Sequence, residues 1–572
     1  MPKRLVKKDK KIFGVCGGLG GSQHLAYRHF HSNGVQGGMI GIGVGLAKAA
    51  KLTAQGGIVA IMIGDGTLGQ GMVYECMNLA SIWRLPVLFV VENNRIAQTT
   101  ETATTLAGSI EERGRAFALK TWRVDDADPE VFGKVEESVA TVRDQGRPGL
   151  LVIDTLRMGP HSKGDDLRPA EEMEAIQRRD PLQQWGRRLS EKLKAQIEAR
   201  NQAFLESVKQ AAMQSAEARY AEIPRHIFTQ APTPSPCPMP ATEDKLNVRG
   251  ILNQALRHLL QSSDEVVLLG EDLHDPYGGA FKVTAGLSSD FPGRVISTPI
   301  SEASITGTAI GLAKAGLKPI LEIMFADFLS LCMDQIYNHA VKFSGIFPSV
   351  QVPLVIRTPP GGRRGYGSTH SQSPENVFAA IPGITLVYGS PRHAMGELLM
   401  QATLAWPYPV LFFEHKLLYG EICEPHDYEE LPPVAGDAAA ALFPTLIRRR
   451  SQPDLTLITY GGMLPYVERA AARLEEEEEL AIEIVVPALL APLPKQTLIT
   501  PLIDRQRIVV IEETHSTYGI GAEILASLSE AGCRAQTLRI GTPPVPIASA
   551  RSMEKQLIPD EAAIVEAILG LF

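Results

Sequence analysis

The chain has 572 residues, enough for about three to five domains at roughly 100–200 residues each. Its 56 Lys and Arg against 64 Asp and Glu leave a net charge of −8, which speaks against a basic nucleic-acid binder. Apolar residues at 44% and charged residues at 21% fit packed domains rather than disorder. Six cysteines without a C-x-x-C pair speak against a disulfide scaffold or a zinc ribbon and favour a reducing, cytoplasmic setting. No apolar run approaches the roughly 18 residues of a membrane span, and the basic start lacks the apolar stretch of a signal peptide.

Short β-branched runs alternate with helical patterns, which predicts α/β layers with parallel sheets. The first strands are expected at 58–63, 87–91 and 150–155, with a helix from about 70 to 83, and a polar helical stretch follows over about 171–222. Then Ala231-Pro-Thr-Pro-Ser-Pro-Cys-Pro-Met-Pro-Ala241 places five prolines in eleven residues, which neither a helix nor a central strand accepts, so it reads as an extended linker. Further strands are expected at 266–269, 319–323, 354–357, 386–388 and 410–413. After a charged, proline-containing stretch (424–452) a last group falls at 455–460, 482–486, 508–512 and 535–540. The reading is three α/β domains, 1–230, 246–430 and 431–572, with the linker at 231–245. The acidic run 475–479 closes a helix before a strand and reads as a solvated face.

Two strand ends carry the chemistry. Ile61-Met-Ile-Gly64-Asp65-Gly66-Thr67 closes one predicted strand, and Glu92-Asn93-Asn94-Arg95-Ile96 closes the next. Ligands of open α/β sheets bind at the carboxyl ends of strands, so Asp65 and Asn94 reach one edge. A carboxylate, an amide oxygen and a carbonyl are hard oxygen ligands suited to Mg²⁺ held against a diphosphate. Either half alone is more often a plain turn or loop; as a pair, one strand–helix–strand unit apart, they resemble the thiamine diphosphate signature. Gly41-Ile-Gly43-Val-Gly45 runs into a helix without clearly following a strand, so close helix packing is the better reading than a dinucleotide loop. His24, His29 and His31 lack the cysteines or clustered acids of a zinc site, and His515 reads as a loop histidine.

With these motifs the chain resembles the thiamine diphosphate-dependent first component of 2-oxoacid dehydrogenase complexes, with its α and β subunits joined end to end. The α-like part, about 12–225, carries Gly17-Gly-Leu-Gly-Gly-Ser-Gln-His24, Asn33-Gly34, the diphosphate signature and Arg157-Met-Gly-Pro-His161-Ser162. The β-like part, 246–572, carries Gly270-Glu-Asp, Thr298-Pro-Ile-Ser-Glu302-Ala, Phe325-Ala-Asp-Phe328, His370-Ser-Gln-Ser-Pro-Glu375 and Thr459-Tyr-Gly461. The resemblance implies a transketolase-like fold binding thiamine diphosphate and Mg²⁺. It implies that Asp65, Asn94 and the carbonyl of Ile96 hold the metal, that Gly66 and Thr67 line the diphosphate, and that Gly34 and Gln36 meet the aminopyrimidine. Arg157 and His161 would reach the diphosphate and the reacting centre. Glu302 would share a proton with the pyrimidine ring, Phe328 would pack on it, and His370 would face the substrate.

His161 and His370 are the implied proton donors, since histidine ordinarily titrates near neutrality. Taken alone, Glu302 reads as a helix-capping residue; its place in the β pattern gives it the catalytic role. The implied reaction is oxidative decarboxylation of a small 2-oxo acid, with the acyl group passed to a lipoyl-bearing acyltransferase. The alternatives are an acyl or acyloin transferase loading an acyl carrier protein, or a catalytically silent assembly partner. The segment from His370 to Glu375 is closer to branched-chain and acetoin-type β subunits than to pyruvate-type ones. A homodimer is implied. The family's α subunit normally has a preceding part with a Tyr-Arg pair at the diphosphate; either a companion subunit supplies it, which is the favoured expectation, or another basic residue substitutes, or the cofactor is bound weakly. Gln36, Met39 and Pro160 depart from the commonest family residues, around the aminopyrimidine and in the loop before His161.

Overall fold

The computed structural model describes residues 24–27, 29–161, 164, 166–216, 245–347, 350–434 and 437–572. The glycine-rich run 17–23, Ser162 and all but the last residue of the 231–245 linker lie outside the described residues. Contacts divide the chain into two units. One comprises Met1–Arg225, Thr306–Ala315 and Gly345–Val350, and the other the remainder.

The first unit opens with an antiparallel pair, β1 (Leu25–Tyr27) and β2 (Phe30–Ser32), followed by α1 (Gly38–Leu52). Its sheet consists of β3 (Val59–Gly64), β4 (Val87–Asn93), β5 (Lys120–Asp125) and β6 (Gly149–Asp154), all parallel in the order β3-β4-β6-β5. The near-continuous apolar run of β4 follows from burial on both faces, as parallel sheets require. Between β3 and β4 lies α2 (Gly71–Ile82). The edge strand β5 has no counterpart among the predicted strands, because Lys120 and Arg123 interrupt its apolar pattern at exposed positions. The glycine run of α1 does serve close packing. A Cβ at Gly45 would lie 2.1 Å from the Thr308 carbonyl oxygen, and one at Gly311 would lie 2.2 Å from that of Ile42.

The polar stretch after β6 is three helices rather than one: α3 (Ala170–Arg178), α4 (Pro181–Gly186) and α5 (Glu191–Met213). The breaks are made by caps. The Asp180 side chain accepts from the Leu182 amide with Pro181 opening α4, and the Ser190 hydroxyl accepts from the Leu193 amide.

In the second unit α6 (Val248–Ser262) precedes β7 (Val266–Glu271) and β8 (Val295–Thr298); α7 (Glu302–Lys314) starts there at Glu302, and its residues from Thr306 on count with the first unit. These strands join β9 (Lys318–Glu322), β10 (Val355–Thr358), β11 (Thr385–Tyr388) and β12 (Val410–Phe413) in a parallel array. Next along the chain come β13 (Glu429–Glu430), β14 (Thr445–Arg448), β15 (Leu455–Thr459), α8 (Leu464–Glu477), β16 (Ile482–Pro487), β17 (Leu489–Ala491), β18 (Arg507–His515) and β19 (Gln536–Thr542). One sheet runs β17-β11-β12-β10-β9-β7-β8 and the other β13-β14-β16-β15-β18-β19.

Both sheets are parallel at the centre with antiparallel strands at one edge, β17 in the first and β13 and β14 in the second. The stretch 424–452 is therefore partly strand; Thr445-Leu-Ile-Arg448 is short and followed by two further arginines, which masks its pattern. Of the acidic run, Glu475 is tied rather than solvated, accepting from Arg448 at 3.0 Å and Arg450 at 2.8 Å. His515 is the last residue of β18, its Nδ1 2.8 Å from the Pro543 carbonyl, and not a loop residue. No helix among the described residues is long and apolar enough to cross a membrane.

Two buried carboxyls share one phenol within the second unit. The Tyr460 hydroxyl is 3.2 Å from Glu375 Oε1 and 3.0 Å from Glu512 Oε2, and both carboxyls are wholly buried. Glu512 Oε2 also accepts from the Gly521 amide at 3.0 Å, whereas Glu375 has the phenol alone for its Oε1, so the proton is favoured on Glu375. Burial, reinforced by the neighbouring Glu512 and Glu513, pushes Glu375 up to about 8, and burial pushes Glu512 up to about 7. Glu513 faces His415, Tyr388 adds no cation, and Arg539 offsets only Glu512. A pKa raised on folding gives stability that is complete below the ordinary carboxyl value of 4.5 and is lost as pH rises through about 8. The slope is about 1.4 kcal/mol per pH unit while one proton separates the states. Urea midpoints measured from pH 5 to 8 are expected to fall with pH, and Glu375→Gln is expected to flatten that fall.

Candidate active site

In the first unit the carboxyl ends of β3 and β4 lie side by side, with Gly64 in register with Glu92. Asp65 opens a short 3-10 turn, Asp65–Gly69, and is buried; the Thr102 hydroxyl donates to its Oδ2. Asn94 follows β4 directly, and its Oδ1 accepts from the Ile96 amide at 3.1 Å. The chain then folds back, Ala97 N donating to Thr100 O and Thr102 N to Arg95 O, both at 2.9 Å. A Cβ at Gly66 would sit 3.0 Å from that of Ala97, so a small residue lets these two segments approach.

Arg157, on the loop after β6, donates to the carbonyls of Ala97 (2.6 Å), Gln98 (2.9 Å) and Gly159 (3.0 Å). Its own carbonyl is held by Arg168 at 2.9 Å. Thr67 donates to Gln36 Oε1 at 2.7 Å, joining the loop before α1 to the turn, while Gly34 is half-buried on that loop. His161 is exposed on the loop after β6. The predicted residues Asp65, Gly66, Thr67, Asn94, Ile96, Arg157 and Gln36 thus form one connected group.

In the second unit Glu302 begins α7, and the amide of Ser301 before it donates to Glu271 Oε1 at 3.3 Å. Burial, and then the charge of Glu302, raise the Glu271 carboxyl to about 7. The Cys332 thiol bridges this point to Phe328, 3.7 Å from the Glu302 carbonyl and 3.8 Å from the Phe328 carbonyl. His370 lies edge-on to Phe325 and Phe328, with ring centroids 4.7 and 5.2 Å apart, and its Nδ1 is 2.9 Å from the Thr369 hydroxyl.

Glu271 and Asp327 lie inside quoted motifs with no role attached, and nothing in the motifs points to Thr102 or Lys416. A signal exists for two of these: Glu271 ends a fully buried strand, and Lys416 ends a Glu-His-Lys triplet that follows the apolar strand β12. Charged residues at buried strand ends are the ones to question.

Residues 6–224 match the family model of the dehydrogenase E1 component, 244–421 that of the transketolase pyrimidine binding domain, and 445–564 that of the transketolase C-terminal domain. The chain is 33% identical over 346 residues to the β subunit of the acetoin:2,6-dichlorophenolindophenol oxidoreductase of Bacillus subtilis, covering 57% of this chain and 97% of that subunit. It is 34% identical over 337 residues to a mitochondrial pyruvate dehydrogenase E1 β subunit (beta-2) of Oryza sativa, covering 57% of this chain and 86% of the other. Transketolase from Campylobacter jejuni shares the fold, with a TM-score of 0.65 at 15% identity over 94% of this chain and 82% of that one. The chain belongs to the thiamine diphosphate-dependent E1 family of 2-oxoacid dehydrogenases, with an α-like and a β-like part on one polypeptide.

Proposed function

We propose that this chain binds thiamine diphosphate with Mg²⁺ and decarboxylates a small 2-oxo acid, passing the acyl group to a lipoyl-bearing acyltransferase. The observation that carries the reading is the turn Asp65-Gly66-Thr67 beside Asn94 and Ile96. It offers a carboxylate, an amide and a carbonyl oxygen next to a glycine that a Cβ would crowd, a donor set that suits a hard divalent cation on a diphosphate. Bound thiamine diphosphate supplies a nucleophilic carbon and an electron sink.

The protein's residues do the rest. Asp65, Asn94 and the Ile96 carbonyl hold the metal, Gly66 and Thr67 line the diphosphate, and Arg157 braces the loop that carries Ile96. Gly34 and Gln36 take the aminopyrimidine through their backbone, and Phe328 packs on it. With the cofactor bound, Glu302 would exchange a proton with that ring, and His370 and His161 would move protons to and from the substrate. The three-domain division at 1–230, 246–430 and 431–572, a cytoplasmic setting and a homodimer are part of the same reading. A companion polypeptide is supported by the open edge of β3. Among the described residues β3 pairs only with β4, and Met62 is exposed on it beside a cavity of about 1320 Å³ that Phe30, Met39 and Lys314 also line.

The test is cofactor-dependent CO₂ release and reduction of 2,6-dichlorophenolindophenol with pyruvate, with branched-chain 2-oxo acids, and with acetoin. Acetoin is included because the Bacillus subtilis relative is an acetoin oxidoreductase subunit. Release of CO₂ from at least one 2-oxo acid is the expected result. A cofactor-loaded chain that reduces the dye with acetoin alone, or with nothing, contradicts it.

A further inference from the structure

Three residues follow β12, and all are almost wholly buried: Glu414, His415 and Lys416. Two have an opposite charge or a proton partner at hand. Glu414 is bonded twice by Arg357, at 2.7 Å each, and His415 Nε2 lies 2.9 Å from Glu513. Lys416 has the charges of Asp327, Glu513 and Glu554 around it, but its hydrogen bonds go elsewhere: Nζ donates to two backbone carbonyls, those of Gly361 at 2.6 Å and His370 at 2.7 Å. A buried ammonium is retained only where charge-assisted bonds offset its lost hydration, and here those bonds go to one loop.

The first part of that loop is also held by carboxylates, the Gly362 amide donating to Glu513 and those of Arg363 and Gly365 to Glu554, at 2.6–3.0 Å. Its ends meet where the Gly361 amide donates to the Gln372 carbonyl at 3.1 Å and the Gln372 amide to Asp327 Oδ1 at 3.3 Å, while the His370 amide donates to the Gly367 carbonyl at 3.3 Å and Gln372 Nε2 to that of Ser368 at 3.0 Å. The Gly361 end cannot shift easily. Its φ is +98°, and a Cβ there would lie 1.9 Å from His415 Nε2. Lys416 therefore ties the backbone of His370 to a fixed point, while Phe325, Phe328 and the Thr369 hydroxyl set the ring.

We propose that Lys416 is the positioning residue for His370, holding the imidazole where it meets the 2-oxo acid. This rests on the reading above in which His370 faces the substrate. The ammonium does not touch the reacting atoms; it acts through the His370 carbonyl.

The test combines kinetics with amide hydrogen exchange on the cofactor-loaded full chain. Lys416→Met is expected to lower kcat about 10- to 100-fold, with KM for the 2-oxo acid changed less than about threefold. In a His370→Ala background the same substitution is expected to cost less than about threefold, since the group it positions is gone. Lys416→Arg, which keeps the charge and a donor, is expected to lose less than Lys416→Met and to show the same cancellation; it also serves if the methionine variant does not fold. Exchange over 366–372 is expected to rise in Lys416→Met while the strands of the sheet, and the amides of Gly362, Arg363 and Gly365 on Glu513 and Glu554, stay protected. An equal loss of kcat in both backgrounds, an unchanged kcat, or an unchanged exchange pattern overturns the proposal. Absence of 2-oxo acid turnover in the unmutated chain contradicts the earlier reading instead, and the exchange measurement then still decides whether Lys416 holds the loop.

Discussion

Asp65→Ala is expected to abolish measurable binding of thiamine diphosphate in the presence of Mg²⁺, a weakening of about 100-fold or more by calorimetry. The size follows from what the carboxylate does. It is the carboxylate of the proposed metal site, and it is buried at the end of β3, where water cannot replace it at full strength. Thr102→Val tests the support of that carboxylate. Its hydroxyl donates to Asp65 Oδ2, and losing one such bond is expected to weaken binding about 3- to 10-fold. A Kd for Asp65→Ala within about threefold of the parent removes Asp65 from the metal site.

Glu302→Gln is expected to lower kcat about 10³- to 10⁴-fold while the cofactor Kd changes less than about tenfold. Glutamine keeps the length and the hydrogen-bonding shape of the side chain but cannot exchange a proton. The change has a second readout in Glu271, whose pKa burial and then the Glu302 charge raise to about 7. With that charge removed, Glu271 is expected to titrate lower, which carboxyl infrared absorption followed against pH detects. An activity within tenfold of the parent takes the proton-exchanging role away from Glu302.

The sequence made the chemistry legible where a residue type and its strand position agree. Asp65 and Asn94 are found at neighbouring strand ends because the apolar runs before them are unmistakable, and β4 has five buried residues in succession. Glu302 is legible as a helix start, and the structure begins α7 there. Strands whose apolar pattern is broken by charge were not legible. The edge strand β5 carries exposed Lys120 and Arg123, since an edge solvates one side and tolerates charge, and β14, paired on both sides, ends in an arginine followed by two more.

Long-range partners were invisible for a different reason. Nothing near Lys416 in the chain announces the carbonyls of Gly361 and His370, and nothing near Arg157 announces those of Ala97 and Gln98. Backbone acceptors carry no sequence signal, so a residue that positions a loop through them is read only once the fold brings the two together. The helical breaks at Asp180 and Ser190 were, in contrast, written in the cap residues and could have been read.

If this chain binds one vitamin-derived cofactor and Glu302 makes it reactive, the thiazolium C2 proton of bound thiamine diphosphate exchanges for deuterium at a rate that depends on Glu302, which quenched-flow NMR follows without any substrate. Exchange is expected to be much faster on the parent chain than for the free cofactor, and near the free rate on Glu302→Gln with the cofactor still bound. Equal rates on the two proteins would contradict it.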